Sequence, residues 1–280
     1  MYGSRSRFLT IMLWLGMAFL YIPMILLVIY SFNYSKIVPV WGGWSLRWYI
    51  HLFQSEEVWN AVILSLQIGV VNATFAVLLG TLAGLAMVRF GQFRGRTLFG
   101  GMLVAPLVMP EVITGLSLLL LFITMKDLIG WPADRGFTTI TIAHITFSMA
   151  YVAVIIQSRL TGMGEDLEEA ALDLGAKPFR VLKDITLPRL APGMISGWLL
   201  AFTLSLDDLV IASFVTGPGA NTLPILIYAR IRLGLRPDIN ALATIIILVV
   251  AVGVAAAAII MHRHQKRIAQ EQQMAAAETA

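Results

Sequence analysis

Three carboxylates and one imidazole lie inside stretches of the sequence that are otherwise apolar. Glu111 follows Pro110, Asp207 and Asp208 are adjacent, and His144 stands alone. A carboxylate at the centre of a bilayer costs about 2.5 to 3.5 kcal/mol, and no Lys or Arg lies within these stretches as a counter-ion. Four explanations are open: protonation, a cation on another chain, water in a cavity, or a cationic substrate. An ammonium about 4 Å away would gain roughly 4 kcal/mol at an effective dielectric constant of 20, which offsets much of the burial cost.

Each of these side chains also has a purely structural explanation. Glu111 can favour the positive N-terminal end of a helix that restarts after Pro110. Asp207 and Asp208 lie about 100° apart on a helix and cannot share one face. One of them can therefore line a path while the other bonds backbone. His144 is most simply a hydrogen-bonded interior histidine.

Several kinds of chemistry have no residues to support them. The sequence contains no cysteine, which excludes disulfides and thiolate metal sites. The zinc-protease motif H-E-x-x-H and the Gly-x-Gly-Asp signature of intramembrane aspartyl proteases do not occur, nor does the phosphate loop G-x4-G-K-[ST]. We therefore predict no metal site, no catalytic residue and no cofactor bound by this chain.

The elements that hold the buried carboxylates are predicted to be membrane spans. Of the 280 residues, 58% are hydrophobic and 13% are charged, too few charges to cover a soluble globule. Six apolar stretches predict an all-α, polytopic helical bundle, with spans at about 8–32, 58–88, 98–125, 138–158, 191–215 and 241–261. The net charge of +4 resides in loops between spans, so it gives no reason to expect nucleic acid as a partner.

The positive charges predict an orientation in the lipid bilayer. With six spans, both termini and the loop 159–190 fall on one side, which carries 13 of the 20 Lys and Arg residues. The positive-inside rule places that side in the cytoplasm. We therefore predict a cytoplasmic N-terminus at 1–7, a membrane domain at 8–261 and a cytoplasmic tail at 262–280.

Small residues at four-residue spacing predict close contacts between helices. They are Ala76, Gly80 and Gly84 in the second span, and Gly193, Gly197 and Ala201 in the fifth. The spacing alone does not distinguish packing within this chain from packing on a partner.

The loop 159–190 has an informative pattern of its own. Its first helix has one apolar face, formed by residues at helical spacing: Leu167, Ala170, Ala171 and Leu174. Gly175 stands where a helix end favours positive φ, and Pro178 stands where a second helix begins. The pattern predicts helix, glycine turn and helix. So short a helix needs a surface to dock on, either a partner protein or lipid headgroups.

The same loop resembles the EAA-x3-G-x9-I-x-LP loop of the membrane subunits of bacterial ABC importers. Every fixed position of that pattern is filled here, by Glu169, Ala170, Ala171, Gly175, Ile185, Leu187 and Pro188. In that family the loop is cytoplasmic, and its first helix, the coupling helix, fits a groove in a separate ATP-hydrolysing subunit. The resemblance implies a type I (MetI-like) importer fold with six spans in the bacterial inner membrane. It also implies a dimer of ATP-binding subunits as a partner.

Two further segments, 105–121 and 197–224, are similar to the polyamine branch of this importer family, above all to its putrescine-importing members. These importers carry putrescine or spermidine and combine two related permease subunits, a paired ATPase and a periplasmic binding protein. The resemblance therefore implies a cationic substrate, a second permease subunit in a heterodimer, and a periplasmic polyamine-binding protein. We assign Glu111, Asp207 and Asp208 to the substrate path on this basis and because they are candidate cation sites in their own right.

A basic segment follows the turn at 217–219. Arg230, Arg232 and Arg236 lie on a short apolar stretch, and we expect them to meet acidic rims of the binding protein. An interfacial helix that keeps its arginines among the headgroups explains the same residues equally well. Two other functions are open: an ion-gradient-driven secondary transporter of an organic cation, although no internal repeat is evident, and an importer of another small cation.

Overall fold

The computed structural model describes residues 7–37, 40–234, 237–255 and 259. Within these residues all elements are helices, apart from an isolated antiparallel bridge between Asn33 and Trp44. The helices are α1 Arg7–Ser31, α2 Arg47–Phe53, α3 Glu56–Arg89, α4 Arg96–Val108, α5 Glu111–Ile129, α6 Phe137–Met163, α7 Asp166–Asp173, α8 Pro178–Val181, α9 Leu187–Asp207, α10 Val210–Val215, α11 Leu223–Arg232 and α12 Pro237–Ala255. A π-helical turn, Leu182–Thr186, joins α8 to α9.

Six helical stretches of the described residues are long and apolar enough to cross a membrane. They are α1, α3, α5, α6, the run from α8 to the end of α9, and α12. The predicted fold class and number of spans are therefore confirmed.

Two predicted spans are interrupted rather than continuous. The span predicted at 98–125 divides into α4 and α5, because Met109 and Pro110 have extended ψ angles of 138° and 135°. Proline has no N–H to continue the helix and disfavours helical geometry in the residue before it. The span predicted at 191–215 begins earlier, as α9, and is interrupted at Asp208, where ψ is 119°.

The C-terminal part of the chain also differs from the prediction. The segment 216–240, expected to be irregular, contains α11, and the last span begins at Pro237. The predicted end of that span at 261 and the tail 262–280 lie outside the described residues.

The chain divides into two compact units, one formed by Met1–Ser55 with Ala229–Ala280 and the other by Glu56–Tyr228. In the first unit, Ser31 is the one buried residue of α1, and its hydroxyl lies 2.6 Å from the Tyr49 hydroxyl. Trp48 is buried and donates a hydrogen bond to the Asn33 carbonyl at 2.7 Å. The loop after α1 is thus anchored by side-chain hydrogen bonds to α2.

The core of the second unit consists of α3, α6 and α9, which pack against one another. Glycines allow this approach: a Cβ on Gly80 would lie 2.8 Å from Val152 Cβ, and one on Gly84 would lie 2.7 Å from Ile156 Cγ2. The other small residues of the two stripes are also buried, namely Ala76, Gly193, Gly197 and Ala201. The stripes therefore pack within this chain.

In the same unit α5 packs against α10. Gly115 makes the contact close, because a Cβ there would lie 2.7 Å from the Phe214 ring and 3.3 Å from Ile211 Cα. Phe122 of α5 and Pro218, which follows α10, line one small cavity of about 170 Å³.

Candidate functional site

The loop 159–190 folds into the predicted helix, glycine turn and helix. Gly175 follows α7 with a φ of +85°. Its N–H bonds the Leu172 carbonyl at 2.9 Å, and the Ala176 N–H bonds the Ala171 carbonyl at 3.0 Å. These two bonds form a Schellman C-cap, which is why the turn requires positive φ.

The apolar face of α7 is open in this chain. Leu167 is 56% exposed and Leu174 is 89% exposed, and no residue of α7 is buried. The next helix, α8, begins at Pro178 as predicted and exposes 76% of Phe179. Large apolar side chains that are exposed on a polar loop favour an interaction surface.

The motif residues occupy both ends of this helical pair. Glu169, Ala170 and Ala171 lie in α7. Ile185 lies in the π-helical turn, and Leu187 and Pro188 are the first two residues of α9, within one helical run from Pro178 to Asp207. The second half of the motif therefore lies in the first part of a membrane span, in the same helical run that α8 begins.

The interruption after α9 is held by the side chain of Asp208. Its Oδ2 accepts a hydrogen bond from the Ala212 N–H at 2.7 Å, and its Oδ1 accepts one from the Ile211 N–H at 3.2 Å. The carboxylate thus caps α10, as short polar side chains do at helix N-termini. This confirms the prediction that one of the two aspartates bonds backbone.

His144 is part of the same arrangement. Its Nε2 lies 3.0 Å from Asp208 Oδ2, and its Nδ1 lies 2.7 Å from Ser205 Oγ. A carboxylate only accepts hydrogen bonds, so Nε2 carries the hydrogen, and Nδ1 of a neutral ring accepts from the Ser205 hydroxyl. His144 and Ser205 are both buried. The interpretation of His144 as an interior hydrogen-bonded histidine is confirmed.

Asp207 and Glu111, unlike Asp208, are exposed carboxylates. Asp207 is exposed at the last position of α9, and Glu111 is exposed at the first position of α5. Within the described residues, no other side chain forms a hydrogen bond or ion pair with either carboxylate. Glu111 lies one helical turn before Gly115 in α5, and Gly115 contacts Ile211 of α10. Asp207 precedes Ile211 by four residues, across the interruption at Asp208.

Asn72 is a further buried polar residue, and it is not among the ionisable residues predicted to be functional. Asn72 is fully buried in α3, and its Nδ2 donates to the Ala201 carbonyl at 2.8 Å and to Ser148 Oγ at 3.2 Å. The amide therefore links α3 to α9 and α6. The sequence signal that could have identified this residue is a lone asparagine inside an apolar stretch, since such side chains form hydrogen bonds between membrane helices.

Two of the three arginines proposed for the outer face lie at the end of α11. Arg230 Nη1 is 3.2 Å from Asp238 Oδ2, and these side chains are 14% and 1% exposed. Arg230 is therefore engaged inside the chain. Arg232 lies in an exposed position. Arg236 lies outside the described residues. Contact of these arginines with a binding protein stays a prediction.

We expect His144→Phe to lower the free energy of unfolding by about 1–3 kcal/mol, because Asp208 and Ser205 each lose a buried hydrogen-bond partner. His144→Gln, which keeps an amide donor, is the matched control and should lose less. Denaturation of the detergent-purified protein, followed by circular dichroism, measures both. Equal stability of the Phe variant and the natural chain would contradict the role assigned to this imidazole.

Comparisons with known proteins identify a family and its relatives. Residues 76–270 match the family described as "Binding-protein-dependent transport system inner membrane component". The chain is 60% identical over 243 residues to the putrescine transport system permease protein PotI of Escherichia coli K12, covering 87% of this chain and 86% of that protein. It is 42% identical over 231 residues to the spermidine/putrescine transport system permease protein PotC of the same strain, covering 82% and 85%.

Solved structures share the fold. A bacterial ABC transporter involved in the import of the acidic polysaccharide alginate matches with a TM-score of 0.68 at 22% identity, over 93% of this chain and 96% of that chain. The inward-facing MetNI methionine ABC transporter matches with a TM-score of 0.58 at 15% identity, over 72% and 95%. At these identities the likeness concerns the fold alone, and it confirms the predicted MetI-like architecture.

Proposed function

Since the chain belongs to the binding-protein-dependent transport system inner membrane components, we propose that it is the permease subunit of an ATP-driven polyamine importer. Members of this family are multi-pass inner-membrane proteins that work with a second permease, an ATPase and a periplasmic binding protein. The ATPase is a separate chain, so this subunit is not itself an enzyme. The observation that carries the substrate assignment is the 60% identity to a putrescine permease over 87% of the chain.

We place the substrate path beside Glu111 and Asp207, each of which adjoins a helix interruption. Interrupted membrane helices are characteristic of regions that line a cavity, because their free backbone groups need polar surroundings. An ammonium about 4 Å from a carboxylate gains roughly 4 kcal/mol at an effective dielectric constant of 20. A diamine carries two such groups. Asp208 is occupied by the α10 cap and His144, so we assign it a supporting role beside the path.

We propose that α7 is the coupling helix and that its open apolar face docks into a groove of the ATPase. This assignment requires the loop 159–190 and both termini to be cytoplasmic, as the charge distribution predicts. Closure of the ATPase dimer on ATP would move α7, and the motion would reach α9 through α8 and the π-helical turn. The spans then open outward, and hydrolysis resets them, as expected for alternating access between two states.

Uptake of labelled putrescine into proteoliposomes that contain the whole complex tests this function. We expect uptake to require ATP and the binding protein and to survive collapse of the proton gradient. Uptake that persists without ATP but stops with the gradient would instead identify a secondary transporter. ATP-dependent transport that putrescine and spermidine neither use nor inhibit would identify an importer of another small cation.

On the opposite side of the membrane, we propose Arg232 and Arg236 as contacts for an acidic surface of the binding protein. Arg232→Glu should weaken binding-protein affinity about fivefold, since an exposed ion pair contributes up to about 1 kcal/mol. Affinity is measured on the complex in nanodiscs. Lys126→Glu, a charge reversal at a side chain that is 53% exposed, is the control. If Arg232→Glu leaves affinity unchanged, the interpretation of these arginines as headgroup anchors replaces the contact.

A further inference from the structure

The helix α7 is not held in place by buried apolar side chains. Its residues are all at least partly exposed, including Leu167 at 56% and Leu172 at 45%. A helix of this length is not stable alone in water. Some other interaction must therefore fix it to the membrane domain.

Arg89, the last residue of α3, binds the start of α7. Its Nη1 donates to Glu165 Oε1 at 2.8 Å, and its Nη2 donates to the Gly164 carbonyl at 3.0 Å and to Glu168 Oε1 at 3.3 Å. Its Nε forms an ion pair with Glu168 Oε2 at 3.0 Å. The planar guanidinium presents several donors in a fixed geometry, so one side chain can hold three groups at once. The Arg89 side chain is only 13% exposed.

Glu168 is the centre of this cluster. Its side chain is 13% exposed, whereas that of Glu165 is 54% exposed. Glu168 Oε1 also accepts a hydrogen bond from the hydroxyl of Thr186 at 3.0 Å. Thr186 is buried in the π-helical turn that leads into α9. Glu168 therefore ties α7 to two membrane helices, through charge-assisted bonds in a partly desolvated position, where they are stronger than at the surface.

The space beside these bonds is open. A cleft of about 570 Å³ is lined by Leu85 of α3, Leu172 of α7 and Phe179 of α8. The helices α3 and α7 are therefore not joined by close apolar packing. The ion pairs at Arg89 are the tight contact between these two helices.

We propose that Arg89 and Glu168 form the link that makes α7 move together with the bundle of α3, α6 and α9. Arg89 is a positioning residue, since it acts on α7 and not on a transported molecule. Breaking the pair should leave the spans and the open face of α7 in place, but should let α7 move without α3. This inference rests on the proposed role of α7 as the coupling helix.

The first test is Arg89→Gln in the complete complex in proteoliposomes. We expect the complex to assemble and to hydrolyse ATP, while putrescine uptake per ATP falls at least about fivefold. Arg180→Gln is the matched control, because it removes another arginine of the same loop whose partner is Asp184 and whose side chain is 79% exposed. The control should transport normally. Normal uptake per ATP in Arg89→Gln, or an equal loss in both variants, would overturn the proposal.

A double-mutant cycle tests whether the two residues act through one link. Glu168→Gln should also lower uptake per ATP, and the defect of the double variant should be clearly smaller than the product of the two single defects, because both single variants remove the Arg89–Glu168 contact. Multiplied defects in the double variant would show that the residues act independently.

A chemical crosslink between positions 89 and 168 should restore the coupling that is lost when the ion pair is removed. Because the sequence has no cysteine, Arg89→Cys with Glu168→Cys creates one unique pair in this chain. A short bis-methanethiosulfonate reagent should restore the uptake per ATP that the reduced pair has lost, and the cysteine-free chain in the same complex serves as control for the reagent. Absence of rescue after complete crosslinking would contradict a mechanical role.

Hydrogen exchange separates this inference from the proposed function, since it needs no substrate. In the assembled complex, Arg89→Gln should raise the exchange rates of amides in 166–175 at least about tenfold and leave those of α6 unchanged. If the natural complex transports no polyamine but this variant still loosens α7, the substrate assignment fails and the link stands. Unchanged exchange in α7 would overturn the link.

Discussion

Asp207→Asn is expected to lower putrescine uptake about 30-fold while complex assembly and basal ATP hydrolysis persist. Asn keeps the size of the side chain but removes the charge, so the substrate ammonium loses its attraction to this position. Half of the roughly 4 kcal/mol expected for such a pair, about 2 kcal/mol, corresponds to about 30-fold in rate. Uptake in proteoliposomes and ATPase activity of the same preparation measure the two quantities.

Two control variants sharpen this prediction. Asp134→Asn neutralises a side chain that is 92% exposed and lies in the loop after α5, and it should transport normally. Asp208→Asn alters the α10 cap and the contact with His144, so its main effect should be on stability. Uptake by Asp207→Asn within twofold of the natural chain would remove Asp207 from the substrate path.

Gly175→Val is expected to reduce ATP-driven uptake at least about tenfold while the spans still insert. The turn holds Gly175 at a φ of +85°, and an L-residue in this conformation costs about 1–2 kcal/mol, more with a β-branched side chain. An added Cβ would meet no atom within 4 Å. The expected defect therefore comes from the backbone angle and not from a clash.

Gly175→Asn is the matched control for this prediction, because asparagine adopts positive φ more readily than other non-glycine residues. We expect the Asn variant to keep most of the uptake activity and the Val variant to lose it. Copurification of the ATPase shows whether the Val variant fails in assembly or in coupling. Equal activity of both variants and the natural chain would show that the Schellman turn has no part in transport.

Features that depend on local signals were predicted from the sequence. The number of spans follows from the lengths of apolar stretches. The helical pair of loop 159–190 follows from a glycine and a proline at fixed offsets. The interruption at Pro110 had a local signal as well, but the apolar stretch around it continues, and we assigned one span.

Features that depend on distant residues were not predictable in this way. The interruption at Asp208 contains no proline and is stabilised by His144, which is 64 residues away, while Ser205 is 61 residues from the same histidine. Arg89 was counted only as a loop cation, because its partner Glu168 is 79 residues away. Only the packing of α3, α6 and α9 brings such pairs together.

The central claim is tested most directly by the ATPase activity of the complex in lipid with its binding protein, compared for putrescine, spermidine and no ligand. Our account predicts that a polyamine stimulates ATP hydrolysis and that the stronger stimulator is the main substrate. If neither polyamine changes the rate of a complex that otherwise hydrolyses ATP, the polyamine assignment is wrong, and the exposed carboxylates Glu111 and Asp207 serve another cation or a partner subunit.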